Sequence, residues 1–234
     1  MKAIILAGGK GTRLKPYTSV IPKPLVPVGE KAILEILLLR LKASGVDEVY
    51  ICLNHFAEII QAFFGDGRKF GLKINYSLED MPLGTVAPIK LIKDLPEDFL
   101  VMNGDLLTDL DFKAFFASHL ASKDLLTVAS YHRTTKIDFG VMEVDPKTNI
   151  VSNFREKPVY DFEVSMGVYA MNREVLKWVP EGRAFGFDNL MLTMLEHKQA
   201  VKVYPFGGYW LDIGRPDDYE KANEDIEKLN APLS

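Results

Sequence analysis

Apolar positions along the chain fall into two kinds of pattern, short continuous runs and stripes at helical spacing. Residues 2–7, Lys-Ala-Ile-Ile-Leu-Ala, form a short apolar run rich in strand formers and predict a buried first strand. Between Lys31 and Ser44, Ile33, Ile36, Leu37 and Leu41 recur at helical spacing, and Gly45 supplies the stop. Val46 to Leu53 predicts a second strand. Asn54 is placed to cap a helix that carries Phe56, Ile59, Ile60 and Phe63 on one face and ends at Gly65. Leu72, Ile74 and Tyr76 alternate with Lys73 and Asn75, the signature of a third strand. This βαβαβ rhythm predicts an α/β fold built on a mostly parallel sheet with right-handed crossovers.

The second part of the chain changes character. A loop at residues 79–85 is expected to lead into a helix from Thr85 to Lys93, and Phe99 to Met102 predicts a buried strand that runs into Asn103-Gly104-Asp105. A helix over Phe112 to Leu120 has Asp111 at its cap position. Strand-like segments follow at 125–131, 140–144, 150–155 and 164–171, joined by turns such as Asp145-Pro146-Lys147-Thr148-Asn149. Two helices are predicted last, near 188–197 and 216–229. The second has Pro216 at its first position, Asp217 and Asp218 in its first turn, and Tyr219, Ala222, Ile226 and Leu229 on one side. Neither a repeat nor a linker interrupts the 234 residues, so one α/β domain over 1–234 is expected.

Charge narrows the partners. With 28 basic and 32 acidic residues the formal net charge is −4, and no basic block occurs, so no nucleic acid is expected as a partner. Any phosphate binding must be local. The most apolar stretch, Ala32 to Leu41, is broken by Glu35 and Arg40 and is too short to span a bilayer, so no membrane partner is expected. Lys2 leads directly into the first strand, which leaves no room for a signal peptide. Cys52 is the sole cysteine and reads as inert core, and its lack of a disulfide partner fits a reducing, cytoplasmic setting. The four histidines, His55, His119, His132 and His197, lack metal-ligand spacing and read as surface or incidental positions.

The chemistry concentrates after the first strand, at Leu6-Ala7-Gly8-Gly9-Lys10-Gly11-Thr12-Arg13-Leu14. Three glycines in four positions let the backbone turn sharply and bring N–H groups close to an anion, and Arg13 adds a fork of donors suited to phosphate oxygens. A Walker A loop is excluded, because Gly11 follows Lys10 and Ile4 stands where the first Gly should be. The dinucleotide fingerprint is excluded too, because Leu14 stands where its third Gly should be and Pro16 opposes a continuous helix.

Together with Pro16, Thr18 and Pro22-Lys23-Pro24, the stretch resembles the opening signature of the sugar-1-phosphate nucleotidylyltransferases, closest to the mannose- and heptose-1-phosphate guanylyltransferase-like members. The resemblance runs over nearly the whole chain, with no β-helix or other C-terminal extension expected beyond it. It implies a Rossmann-like, open, mostly parallel mixed sheet flanked by helices, the GT-A-like nucleotidyltransferase fold. Nucleotide would bind to a part near 1–110 and sugar phosphate to a part near 111–234. It implies a nucleotide site at Leu6, Gly8, Gly9, Gly11, Thr12, Arg13, Lys23, Glu79, Pro82, Gly84 and Thr85, with Arg13 and Lys23 acting in catalysis. Arg13 would stabilise departing pyrophosphate, and Lys23 would neutralise nucleotide phosphate.

Mg²⁺ is implied as cofactor, on Asp105 and on Asp212 within Trp210-Leu211-Asp212-Ile213-Gly214. By its residues alone, Asn103-Gly104-Asp105 reads equally as a hairpin turn. Glu156-Lys157-Pro158 matches a family motif whose Glu contacts sugar hydroxyls and whose Lys contacts the sugar phosphate. Taken alone it is a solvated charge pair before a turn. Gly140 and Gly167 match family glycines near the sugar, whereas Ser165-Met166 departs from the Asn or Thr that many members carry there.

The resemblance implies a nucleoside triphosphate and a sugar 1-phosphate as the small-molecule partners, and it admits a homodimer. Glu79 stands where many pyrimidine-specific members present a Gln. An ionised carboxylate only accepts hydrogen bonds, which favours guanine and hence GTP. Read without the resemblance, Glu79 is a solvated loop charge. The competing functions are a UTP- or CTP-dependent member with a different phosphorylated acceptor and a catalytically silent regulatory relative. The retention of Arg13, Lys23, Asp105, Lys157 and Asp212 speaks against silence.

Overall fold

The computed structural model describes residues 1–229. β1 (Lys2–Leu6) opens the chain, and the two short strands β2 (Pro27–Val28) and β3 (Lys31–Ala32) lead into α1 (Ile33–Ala43). β4 (Glu48–Leu53), α2 (Ala57–Phe64) and β5 (Lys73–Leu78) complete the first half of the sheet. β6 (Asp98–Asn103), β7 (Leu106–Thr108), α3 (Phe112–Ser122) and β8 (Leu126–Lys136) follow. β9 (Val141–Val144) and β10 (Val151–Arg155) form a hairpin before the long β11 (Val159–Asn172). The described chain closes with α4 (Phe187–Glu196), β12 (Lys202–Phe206), β13 (Trp210–Asp212) and α5 (Pro216–Leu229).

Seven strands make the central sheet in the order β12-β8-β11-β6-β1-β4-β5. β1 pairs in parallel with both β4 and β6, β5 adds in parallel to β4, and only β11 runs antiparallel to its neighbours. The expected mostly parallel mixed sheet is therefore what forms. β1 lies between strands that wind to opposite sides, a switch point at which open α/β sheets leave a crevice beyond the strand ends. Ala3, Ile4 and Ile5 are fully buried, since a central parallel strand is covered on both faces. One face packs against Leu34, Leu37, Leu41, Phe112 and Phe115, the other against Val86, Ile89, Leu190 and Met194. No helix among the described residues is long and apolar enough to cross a membrane.

Three local expectations change. The segment from Thr85 to Lys93 forms a 3-10 helix only over Ala87–Leu91, because Pro88 sits in its first turn and the N–H groups of Val86 and Ala87 donate to Phe185 O instead. In α2 the buried residues are Ile60 and Phe64, while Ile59 and Phe63 are exposed. Residue Phe56, in the left-handed conformation, occupies the cap and rotates the helix relative to the predicted face. His119 is not at the surface. It is buried on the inner face of α3, with Nδ1 2.8 Å from Thr127 Oγ1 and Nε2 3.4 Å from Asp98 Oδ1, and burial lowers its pKa. The other predicted caps form: Asp111 Oδ1 accepts from Ala114 N at 2.9 Å, and α5 starts at Pro216. On α5, Ala222 and Ile226 are buried as predicted, and Leu229 lies outside the described side chains.

Candidate active site

A cleft of about 350 Å³ opens at the C-terminal ends of β1, β4, β5 and β6. Leu6, Gly8 and Gly9 reach it from β1, Glu79, Pro82, Gly84 and Thr85 from the loop after β5, Asp105 from the end of β6, and Lys23 from the Pro-Lys-Pro turn. Gly11, Thr12 and Arg13 stand just outside its wall. Gly11 has a φ of +62°, and a Cβ there would lie 3.0 Å from Thr18 Cγ2 and 3.2 Å from Lys23 Cβ. Only glycine takes this bend without strain, and the bend seats the loop directly over the stem of Lys23. Thr18 Oγ1 donates to Gly11 O at 2.7 Å and ties the loop to the next turn. Thr12 and Arg13 begin the 3-10 turn Thr12–Leu14, where both are exposed.

The aspartates come together through two short strands. β13 pairs antiparallel with β7, placing Asp212 opposite Leu106, and Ile213 N donates to Asp105 O at 3.1 Å. Trp210 anchors this strand by donating from Nε1 to Met166 O at 3.0 Å. Lys23 Nζ forms a close ion pair with Asp105 Oδ2. Arg13 lies against the same segment, since a Cβ at Gly214 would be 3.5 Å from Arg13 Nη2. Burial pushes the Asp212 carboxyl above the usual aspartate value, the Asp105 charge adds to this, and Lys23 and Arg13 oppose it. Asp105, Asp212, Lys23 and Arg13 therefore form one electrostatic unit.

Asp105 Oδ1 and Asp212 Oδ1 are both buried and have no hydrogen-bond partner. An unpaired buried carboxylate oxygen is costly, and a cation or a ligand donor at this pair would relieve that cost. No group of three or more His, Cys, Asp or Glu able to hold a metal stands among the described residues. Two hard oxygen donors beside an open cleft suit a divalent ion that takes its remaining ligands from phosphate and water.

Glu79 is half-buried at the opposite wall. Its Oε2 accepts from Leu83 N at 2.9 Å, and a Cβ on Gly8 would stand 3.2 Å from its Oε1. Burial raises its pKa, against the smaller opposing effect of the Leu83 N–H. The loop is held from outside: Phe185 N donates to Leu83 O at 2.8 Å, and Phe187 N donates to Thr85 Oγ1 at 2.8 Å.

The sugar-side residues divide. Gly167 borders the cleft indirectly, packed against Asn103 at a break in the β11–β8 register. Gly140 packs against Phe154 and Glu156 at the base of the β9–β10 hairpin, and Glu156 and Lys157 are exposed there. None of these three lines the cleft. Sequence reasoning missed Asn54 and Asn103 as lining residues and treated Cys52 only as core. Asn54 does not cap α2; its Nδ2 donates to Glu79 O at 3.2 Å. The signal that finds both asparagines is their place just beyond or at the C-terminal end of a central parallel strand. Cys52 is buried, and burial pushes its thiol up to about 12, so it is unreactive wall.

Comparison with known proteins agrees with this geometry. The chain is 31% identical over 242 residues to a UTP--glucose-1-phosphate uridylyltransferase of Synechocystis sp., covering 95% of this chain and 62% of that protein, less than two thirds of its length. It is 34% identical over 230 residues to a D-glycero-alpha-D-manno-heptose 1-phosphate guanylyltransferase of Aneurinibacillus thermoaerophilus, covering 97% of this chain and 99% of that one. The crystal structure of HddC from Yersinia pseudotuberculosis complexed with GMP-PN superposes with a TM-score of 0.72 at 28% identity, covering 96% of this chain and 99% of that one. A family model described as nucleotidyl transferase matches residues 2–229. A chain whose whole sheet and cleft fall within that match belongs to the nucleotidyl transferase family.

Proposed function

We propose that this protein transfers a nucleotidyl group from a nucleoside triphosphate, with GTP favoured, to a sugar 1-phosphate, forming a nucleotide-activated sugar and releasing pyrophosphate. The observation that carries the reading is the convergence of Gly8, Gly9, Lys23 and Asp105 at one cleft, with Asp212 beside Asp105 just outside its lining and one buried, unpartnered oxygen on each aspartate. A phosphomonoester has a second pKa of ~6, so the attacking oxygen is already ionised at neutral pH and needs no general base. That oxygen bonds to the α-phosphorus as the bond from it to the β-phosphate oxygen breaks, and the electron pair leaves with pyrophosphate. The difficulty is the meeting of two polyanions, which positioning and fixed positive charge overcome.

In this reading Gly8, Gly9, Gly11 and Thr12 hold the triphosphate, Arg13 stabilises the pyrophosphate as its charge grows, and Lys23 neutralises nucleotide phosphate. Glu156 contacts sugar hydroxyls, Lys157 contacts the sugar phosphate, and Gly140 and Gly167 lie near the sugar. Nucleotidyl transferases generally use a divalent metal; Mg²⁺ on Asp105 and Asp212 would supply charge neutralisation to the phosphate oxygens. Glu79 supports guanine, because its carboxylate accepts from the two adjacent donors of that base. The likeness to a relative named for UTP keeps uridine as the second reading. A cytoplasmic location belongs to the same proposal, supported by the free, buried thiol of Cys52. So does a homodimer, which sedimentation equilibrium distinguishes from a monomer.

The test is pyrophosphate release across the four triphosphates and a panel of hexose and heptose 1-phosphates. Release with GTP and one sugar phosphate is expected. No release with any pair, at any divalent metal tried, overturns the reading.

A further inference from the structure

The Lys23–Asp105 pair joins a side chain assigned to nucleotide phosphate with one assigned to the metal. Lys23 is 11% exposed at its side chain and Asp105 23%. The lysine's backbone is held firmly: Pro22 and Pro24 flank it, Leu25 N donates to Pro22 O at 2.8 Å, and Val26 N donates to Lys23 O at 3.1 Å. Gly11 confines its Cβ from above. Only the outer torsions of the side chain are free to move the ammonium, and the side chain already lines the cleft.

Asp105, Asp212 and Asp218 against Lys23 and Arg13 leave this cluster with a net charge of −1. A divalent ion arriving on the open Oδ1 atoms reverses that sign and repels the ammonium at Asp105 Oδ2. A lysine ammonium left half-buried without a partner is costly, whereas triphosphate oxygens in the cleft would accept its donors.

We propose that Lys23 is the resident counter-ion of the aspartate pair, and that a divalent cation and Lys23 compete for Asp105. Metal binding then releases Lys23 to the triphosphate, and nucleotide binding draws Lys23 away and opens the pair to metal. The two ligands are coupled through one side chain, so the free enzyme binds metal weakly until nucleotide arrives. This inference rests on the assignment of Asp105 and Asp212 as the metal pair.

The experiment is isothermal titration of the full chain with Mn²⁺ alone, GTP alone, and Mn²⁺ in the presence of GTP, with no sugar phosphate. Wild type is compared with Lys23→Gln, Lys23→Arg and Asp212→Asn, each checked for folding by circular dichroism. Lys23→Gln should tighten Mn²⁺ binding to the nucleotide-free protein and weaken metal-free GTP binding. The mutual enhancement of the two ligands, in the usual range of about 5–150-fold in wild type, should shrink in this variant. Lys23→Arg keeps the cation and should stay near wild type for Mn²⁺ alone. An unchanged or weaker Mn²⁺ affinity in Lys23→Gln, with Mn²⁺ still lost in Asp212→Asn, overturns the competition and leaves the metal assignment standing. Mn²⁺ binding to the nucleotide-free protein that survives Asp212→Asn unchanged overturns the metal assignment itself.

Discussion

Gly167 lies so close to Asn103 that a Cβ on the glycine would stand 2.6 Å from Asn103 Nδ2. The glycine has a φ of +71° and falls where the register of β11 against β8 shifts, between Ser165 and Tyr169. Its backbone thus backs the wall of the cleft that Asn103 forms at the end of β6. Gly167→Ala should cost about 1–2 kcal/mol for the left-handed conformation alone. It should also push the Asn103 amide into the cleft. A lower Tm together with a raised KM is expected in thermal unfolding and steady-state kinetics, and an unchanged KM would show that Asn103 does not border the substrate.

Arg13 and Lys157 should separate kinetically. The Arg13 guanidinium lies beside Asp212 and Gly214, where pyrophosphate charge would develop. Arg13→Ala should therefore lower kcat, by something like the ~10²–10³ typical of losing one preorganised electrostatic group. Lys157 is exposed after β10, away from the cleft wall, and Lys157→Ala should mainly raise the KM for the sugar phosphate. Steady-state parameters showing the reverse pattern would exchange the two roles.

The base preference tests Glu79. Its Oε2 already accepts from Leu83 N, which leaves Oε1 and a second lone pair to face a purine edge. Glu79→Gln should cost GTP more than UTP, by about 1–3 kcal/mol when a charged hydrogen bond is lost. Because burial raises the Glu79 pKa, GTP preference should also weaken from the acid side, as the carboxylate takes up a proton and becomes a donor. Competition between GTP and UTP, run for both proteins and across pH, reads both effects. A wild-type preference for UTP would assign the base differently.

Acid stability should depend on Glu48. Hydrogen bonds from Lys73 and Lys2, then from Asn75, bring its carboxyl from the ordinary value of 4.5 down to about 2. The distances are 2.7 Å from Lys73, 2.9 Å from Lys2 and 2.8 Å from Asn75. A carboxyl whose pKa falls on folding stabilises the native state above the unfolded value, and the gain is lost as pH drops through the folded one. The window here is therefore from 4.5 to about 2. Lys73 is well exposed, so solvent screening limits the effect to about 1 kcal/mol. Glu48→Gln should lower stability at neutral pH and flatten its decline over that window in urea titrations. A parallel decline in both proteins would remove Glu48 from the account.

Elements whose signals are local could be read from the chain alone. β1 and β6 are continuous apolar runs, α3 has its Asp111 cap, and α5 opens on Pro216 and two aspartates. Side-chain periodicity and capping act within a few residues, so one stretch of chain carries the whole signal. The order of strands and helices likewise announced a mostly parallel sheet, and the glycine loop after β1 marked one wall of the cleft. Tertiary structure decided what depends on packing between distant segments. Lys23 and Asp105 pair across 82 positions, and Asp212 reaches the same pair only because β13 aligns with β7. The face that α2 buries, the interior place of His119 and the turn of Asn54 toward Glu79 were settled in the same way, by neighbours that no local pattern encodes. Burial then completed the chemistry. The carboxylates were visible as letters, but their unpartnered oxygens and the raised pKa of Asp212 exist only once the surrounding chain excludes water.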